Sequence, residues 1–411
     1  MTDTPAQTGT VRGAAAWATG ADSSLRRIRR PPDEEHRASS AELFFDLVFV
    51  FAVTQLSTRL VHDLTLGGAA RTLLLLLAAW WAWIYTTWVT NWFDADTLVV
   101  RAILLAGMLA SLLGAIAIPD AFGDRAVLFV AGYVSVQSLR NVFIVWATAA
   151  DDPLRRPFER ILGWTCVTGV IWVAGVFVDG DARFAVWLLA LALDYAGPFI
   201  GHWLPGLGRS QPRDWHLEPS HFVERLELFL IIALGESIVA SGATASSLDP
   251  TSARLAAMLV SVSITAAFWW LYFDFHAGRT LERLKAAQDD RGRLGRDLSY
   301  LYVLLVAGII VAAVGNELVI AHPGQVPSGT ESVALAAGPV LYLLGSVALK
   351  IRVLHVMWQR RFAAAVLIVL ATLAGARLPG LAIWAIVFAI LAGLAALEAV
   401  EPGRGTVAGP T

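Results

Sequence analysis

The sequence predicts an all-α integral membrane protein of about twelve transmembrane helices, arranged as two parallel six-helix repeats. Three observations predict it. Of the 411 residues, 57% are hydrophobic and 16% are charged, whereas a soluble globular chain carries about a quarter charged residues. The apolar residues fall in continuous blocks of roughly 18 to 25, long enough to cross a hydrocarbon core about 30 Å thick. Short motifs then recur, in the same order, in the two halves of the chain.

No water bonds the backbone amides inside a bilayer, so each block must be a helix or part of a closed barrel. The blocks do not alternate with polar residues, and helices follow. In the first half the predicted spans are 42–60, 70–93, 98–118, 126–149, 158–178 and 184–204. In the second half they are 222–243, 255–275, 298–321, 333–354, 362–376 and 378–399. The last two meet at Arg377-Leu378-Pro379-Gly380 and read as a tight hairpin or a re-entrant pair.

The cations test this layout independently through the positive-inside rule. With the N-terminus inside, 23 of the 31 lysines and arginines fall on the cytoplasmic side and six on the outer side. The remaining two, Arg140 and Arg225, lie within helices. This asymmetry predicts cytoplasmic N- and C-termini.

The repeat rests on four short matches. Glu42-Leu43-Phe44 returns as Glu227-Leu228-Phe229, and Trp80-Trp81-x-Trp83 as Trp269-Trp270-x-Tyr272. Ala106-Gly107 followed by Gly114 resembles Ala307-Gly308 followed by Gly315, and Ala131-Gly132 resembles Ala337-Gly338. The offsets rise steadily through 185, 189, 201 and 206. Six helices per repeat put both halves into the membrane in one orientation, as in parallel-repeat transporters. Glycines seven residues apart share a helix face and allow close helix approach.

The organisation that follows is a disordered basic cytoplasmic tail at 1–41 and a first repeat at 42–204. A linker at 205–221, a second repeat at 222–399 and a short cytoplasmic tail at 400–411 complete it. The run Arg26-Arg27-Ile28-Arg29-Arg30 is followed by Pro31-Pro32-Asp33-Glu34-Glu35, not by the apolar stretch of a signal peptide. A net charge of −2 gives no reason to expect nucleic-acid binding, and the single cysteine, Cys166, permits no internal disulfide. Cys166 reads as a packing residue.

Ionisable groups within spans are costly unless paired or hydrated, so each is a functional candidate. Glu42 and Asp46 stand one turn apart on the first helix. Glu224, Arg225 and Glu227 crowd the same end of the seventh helix, just after His221, and Arg225 is placed to neutralise the first helix if the halves pack together. Deeper lie Glu236, Arg140 with Asn141, and Asp194. Arg140 is expected to pair with Asp194 or Glu236. Asp274 ends the eighth helix, and Asn316 and Glu317 are expected to be wet. The tryptophans of the second helix read as a lipid-facing aromatic belt or as a pocket wall.

No phosphate-binding loop, zinc-protease motif or dinucleotide fingerprint is present, so neither an enzyme, a metal site nor a cofactor is expected. The run Glu42-Leu43-Phe44-Phe45-Asp46-Leu47-Val48-Phe49-Val50, together with His221-Phe222-Val223-Glu224-Arg225 and Leu234-Gly235-Glu236-Ser237-Ile238, resembles the bacterial low-temperature-requirement A (LtrA) family. Trp269-Trp270-Leu271-Tyr272-Phe273-Asp274 adds to the match, and the likeness covers the chain beyond the basic tail. The family name implies a requirement for growth in the cold and no particular chemistry.

Phe44-Phe45-Asp46-x-Val48-Phe49 is also similar to the Phe-Ser-Asp signature of lysosomal potassium channels and their bacterial relatives. Ser40 replaces the arginine of that signature, and Ile231 stands where the second repeat wants an aspartate. The expected activity is secondary transport or ion conduction, with membrane lipid and a small ion or solute as partners. A non-transporting scaffold or sensor is the alternative.

Overall fold

Among the described residues five helices begin at a side-chain cap, from Ser39, Thr65, Glu218, Thr251 and Ser328. The computed structural model describes residues 28–30, 35–149, 152–211 and 214–400. Most of the basic tail, Arg213 and the C-terminal stretch with Arg404 lie outside them. Among the described residues the only β pairings are two isolated bridges, Arg29 with Phe93 and Leu204 with Gly208.

The first group of helices is α1 (Ser40–His62), α2 (Leu66–Trp92), α3 (Leu98–Ala117), α4 (Ala126–Ala147), α5 (Arg155–Ala174) and α6 (Gly180–Ala196). The second is α7 (Pro219–Ser246), α8 (Ser252–Phe273), the short α9 (Ala277–Ala286), α10 (Arg291–Ala321), α11 (Gly329–Leu349), α12 (Gln359–Ala374) and α13 (Gly380–Ala399). Ten helical stretches among the described residues are long and apolar enough to cross a membrane, and the chain is a multi-pass membrane protein.

Two helices at predicted spans are short. At 17 residues α6, and at 16 residues α12, fall below the roughly 20 residues a straight crossing needs. Span 184–204 was expected to be helical throughout, but α6 stops at Ala196: Gly197 keeps helical backbone, and Pro198 has no N–H with which to continue the ladder. The amphipathic α9 lies in a loop that the span pattern left unassigned.

Within the first group, α1 packs on α2 and α3, α3 on α4, α4 on α5, and α5 on α6, which returns to α2. Within the second, α7 packs on α8 and α10, α10 on α11, α11 on α12, and α12 on α13, which returns to α8. Helices α1 and α2 meet α7 and α10 at the junction. The most enclosed helices, α10 and α2, have 78% and 72% of their apolar windows buried. They form the centre around which the other helices stand.

Close helix pairs depend on missing side chains. A Cβ on Gly132 of α4 would lie 2.5 Å from the Gly114 amide nitrogen of α3, and one on Gly338 of α11 would lie 2.4 Å from that of Ala312 on α10. Neither backbone can give way cheaply, so these two seams require glycine.

Candidate functional site

The α1 N-terminus prepares one carboxylate. Ser39 and Glu42 form a capping box, in which Ser39 N–H donates to Glu42 Oε2 at 2.8 Å and Glu42 N–H donates to Ser39 Oγ at 3.3 Å. The cap turns Glu42 inward. Its Oε1 then lies 2.7 Å from His221 Nε2 on α7, and Arg30 reaches its other oxygen at 3.3 Å.

One turn on, Asp46 accepts both terminal nitrogens of Arg225, Nη1 at 2.6 Å and Nη2 at 2.8 Å. Trp83 Nε1 on α2 donates to the same carboxylate at 2.7 Å. Glu42, Asp46, His221 and Arg225 each have 0% of their surface exposed. Such a group is stable only when its charges balance. Two carboxylates face Arg225 and Arg30, and the count closes if the histidine is neutral.

The hydrogen bonds require that neutrality. Asn91 Oδ1 accepts from Glu218 N–H at 2.8 Å, which orients the amide, and Asn91 Nδ2 donates to the Glu218 carbonyl at 2.9 Å. The second amide proton points at His221 Nδ1, 3.3 Å away. Nδ1 must therefore accept, leaving Nε2–H to donate to Glu42. Glu218 also caps α7 through Ser220 and His221 N–H, at 2.9 and 2.7 Å.

The other predicted residues are placed as follows. Glu224 accepts the Ala38 amide at 2.9 Å and so holds the approach to α1. Glu227, two residues beyond Arg225, is half-buried near Tyr272 of α8 and Tyr302 of α10, and no described hydrogen bond joins it to the cluster. Glu236, half-buried farther along α7, meets the Thr54 hydroxyl of α1. Asp274 is exposed at the end of α8.

Arg140 forms no ion pair with Asp194 or Glu236 among the described contacts, contrary to expectation. Its guanidinium donates to the Ala82 carbonyl at 3.3 Å, to Gln137 Oε1 and to Asn141 Oδ1, and lies 5.0 Å from the Tyr85 ring centre. Gln137 Nε2 donates to Tyr133 Oη at 3.2 Å, and Tyr133 donates to Asp194 at 2.9 Å. Trp172 also donates to Asp194, at 3.1 Å. Arginine and aspartate are thus linked through two neutral side chains. Asn141 Nδ2 completes its own bonding with Thr165 at 2.8 Å.

Three further expectations are corrected. Asn316 is 1% exposed, bonded to Ser237 at 3.1 Å and to Trp384 at 3.0 Å, so it is dry. Trp80 and Trp83 are buried, not lipid-facing, because their indole N–H groups have partners inside the bundle. Cys166 is exposed on α5 and does no packing.

The tail expected to be free is docked where it is described. Arg30 N–H donates to the Trp92 carbonyl and Asp94 N–H to the Ile28 carbonyl, at 2.9 and 2.8 Å. Arg29 pairs with Asp152, and exposed Glu35 pairs with Lys285 of α9, which holds its carboxyl below the usual range.

The α1/α7 relationship brings together the motif residues that resembled one family, and that family's model, the bacterial low temperature requirement A protein (LtrA), matches residues 37–396. The chain belongs to the LtrA family. An uncharacterized protein of Rhizobium meliloti (strain 1021) is similar to it, 33% identical over 348 residues that cover 84% of this chain and 83% of that protein. No solved structure matches.

A second buried charge knot was missed in the sequence of this LtrA protein. Glu398 of α13 accepts Arg361 Nη2 at 2.6 Å and Lys350 Nζ at 2.7 Å. Arg361 also donates to the Leu271 carbonyl at 2.8 Å and to Ser346, beside His276. The available signal was Glu398 itself, an acid near the end of an otherwise apolar helix. Among the described residues no group of three His, Cys, Asp or Glu is arranged to hold a metal ion.

Proposed function

We propose that this LtrA protein is a secondary transporter or ion-conducting protein, not an enzyme, with its pathway along the α1/α7 seam. The observation that carries the reading is the placement of charge on that seam. Glu42 with His221, Asp46 with Arg225, and Thr54 with Glu236 all join the same two helices. The first two pairs share one sequence offset, 179, so α1 and α7 run side by side in the same direction.

In this reading the Asp46–Arg225 pair closes one end of the seam, and Glu236 is the group that exchanges a proton or cation. Glu236 suits that part because it is half-buried and held by a hydroxyl, not by a fixed cation. Intramembrane carboxylates of this kind mark ion and proton routes.

The finer architecture belongs to the same proposal: twelve crossings, two parallel six-helix repeats, and both termini cytoplasmic in the bacterial inner membrane. The matching packing order of the two groups supports the repeats. So does a pairing that recurs at the repeat offsets: Gly107 faces Val136 on α4, and Gly308 faces Tyr342 on α11. The arginine distribution supports the orientation.

The test is flux. Purified protein in liposomes carrying a pH-sensitive dye is given K⁺, Na⁺ and proton gradients in turn. Gradient-driven flux in the wild type that is lost in a folded Glu236→Gln variant is expected. Flux that survives this substitution removes the seam as the route.

One observation favours the scaffold or sensor alternative. Arg29, Arg30 and Glu35 tie the segment before α1 to Asp152, Glu42 and Lys285, in both helix groups. That reading expects protein partners recovered in mild detergent that are lost with an Arg29→Gln, Arg30→Gln variant.

A further inference from the structure

A cavity of about 430 Å³ lies between the end of α2, the segment after α6 and the start of α10. That volume falls within the few hundred to about 1,000 Å³ of small-molecule sites. It is separate from the α1/α7 seam, and nothing in the transport reading uses it.

Its walls are aromatic. Trp81, Trp88, Trp92, Phe158, Trp215 and Tyr300 all face it. Trp92 and Trp215 stack at an angle of 29°, with ring centres 5.7 Å apart, and Trp88 is fixed by its indole N–H to Ser299 Oγ at 3.1 Å. The shape of the mouth is also fixed. Gly201, at φ +65°, leaves room for the Ser210 carbonyl, which a Cβ would meet at 2.2 Å. Arg160 holds the same segment through the Leu207 carbonyl at 2.8 Å and Ser210 Oγ at 3.1 Å.

The charge has one sign. Arg209, Arg293 and Arg296 line the cavity, and among the described residues no carboxylate does. Arg296 stacks over Phe199 at 4.7 Å. Its carboxylate neighbour, Asp297 at 3.1 Å, is shared with Arg352 at 2.9 Å. Arg293 reaches Asp290 only at 3.8 Å. The local cations therefore outnumber the acids that neutralise them.

We propose that this cavity binds a small aromatic organic anion, its ring against the tryptophan walls and its carboxylate or sulfonate at the arginines. Flat walls favour a ring over a flexible acyl chain, because stacking rewards a planar partner. The guanidiniums supply charge-assisted, two-pronged hydrogen bonds to an anionic head.

The experiment is calorimetric titration of the full chain in neutral maltoside micelles with 2-naphthoate. Saturable binding is expected, about tenfold weaker in an Arg209→Gln, Arg293→Gln variant. Both arginines are exposed, so the fold should survive, and helicity with elution volume checks that it does. An uncharged control, 2-naphthalenemethanol, should bind the wild type more weakly, which tests the charge without any variant. Absence of saturable naphthoate binding overturns the proposal. So does equal binding of the alcohol, which would mark partition into the micelle. Inorganic phosphate binding as tightly as naphthoate removes the aromatic half of the claim. Short-chain phosphatidylglycerol giving the arginine-dependent signal in place of naphthoate makes the cavity a lipid site and defeats it.

Discussion

Arg225 of α7 grips Asp46 of α1 through both terminal guanidinium nitrogens, at 2.6 and 2.8 Å, with neither side chain exposed. The pair joins the first helices of the two groups. Asp46→Leu or Arg225→Met alone leaves a buried charge without its partner, and each should cost about 3–5 kcal/mol. The double variant removes both charges and should recover much of that loss. Thermal unfolding of the three proteins in detergent measures the coupling; additive losses would show that the contact contributes little.

His221 should exist as the Nε2–H tautomer. Asn91 points an amide proton at Nδ1, and Glu42 takes the Nε2 proton. Nitrogen-15 NMR of histidine-labelled protein should show a bare Nδ1 and a protonated Nε2 for this residue. Asn91→Asp replaces that donor with an acceptor and should add a proton at Nδ1, giving an imidazolium between two carboxylates. An unaltered spectrum would mean that Asn91 does not set the tautomer.

Gly132→Ala and Gly338→Ala should each destabilise the protein by about 1–3 kcal/mol, since the new methyl meets backbone in a packed seam. Gly393→Ala, with open space around it, is the matched control. It should be neutral or gain up to about 1 kcal/mol from helix propensity. Equal effects at the three positions would contradict the close approach of α3 to α4 and α10 to α11.

Cys166, midway along α5 and exposed, should face lipid. A charged thiol reagent should fail to modify it in intact membranes, because a charged molecule does not enter the hydrocarbon region. It should react once the protein is unfolded in dodecyl sulfate. Rapid labelling in intact membranes would place that face of α5 in water.

Glu398→Gln should destabilise the end of α13 by about 3–5 kcal/mol, since Arg361 and Lys350 both reach that carboxylate. Arg361→Gln leaves Lys350 to balance it and should cost less. Proteolysis rates at the α11–α12 connection would rank the two; the reverse order would assign the larger share to the Leu271 and Ser346 bonds of Arg361.

The apolar blocks and the arginine bias of the loops made the helices legible, because a bilayer imposes one rule on every span: a continuous apolar surface with its backbone bonded internally. The grouping of Glu42 and Asp46 was equally legible, since i and i+4 share a helix face. Their meeting with Arg225 was foreseeable only as a condition on packing. Local pattern alone determined where α1 and α7 lie, which of their residues point the same way, and membership of a membrane family.

Tertiary structure decided the rest, because contacts between distant helices leave no periodic trace. Arg140 looked in need of an acid, but three neutral oxygens and a tyrosine face surround it, and Asp194 is reached only through Gln137 and Tyr133. Asn316 looked wet from its place near a helix end and is sealed by Trp384 and Ser237. Lys350, Arg361 and Glu398 come from three segments that meet only when α11, α12 and α13 fold together. Hydropathy reports whether a helix can enter a bilayer. Which buried charge finds which partner depends on how the helices pack, and that was settled only in three dimensions.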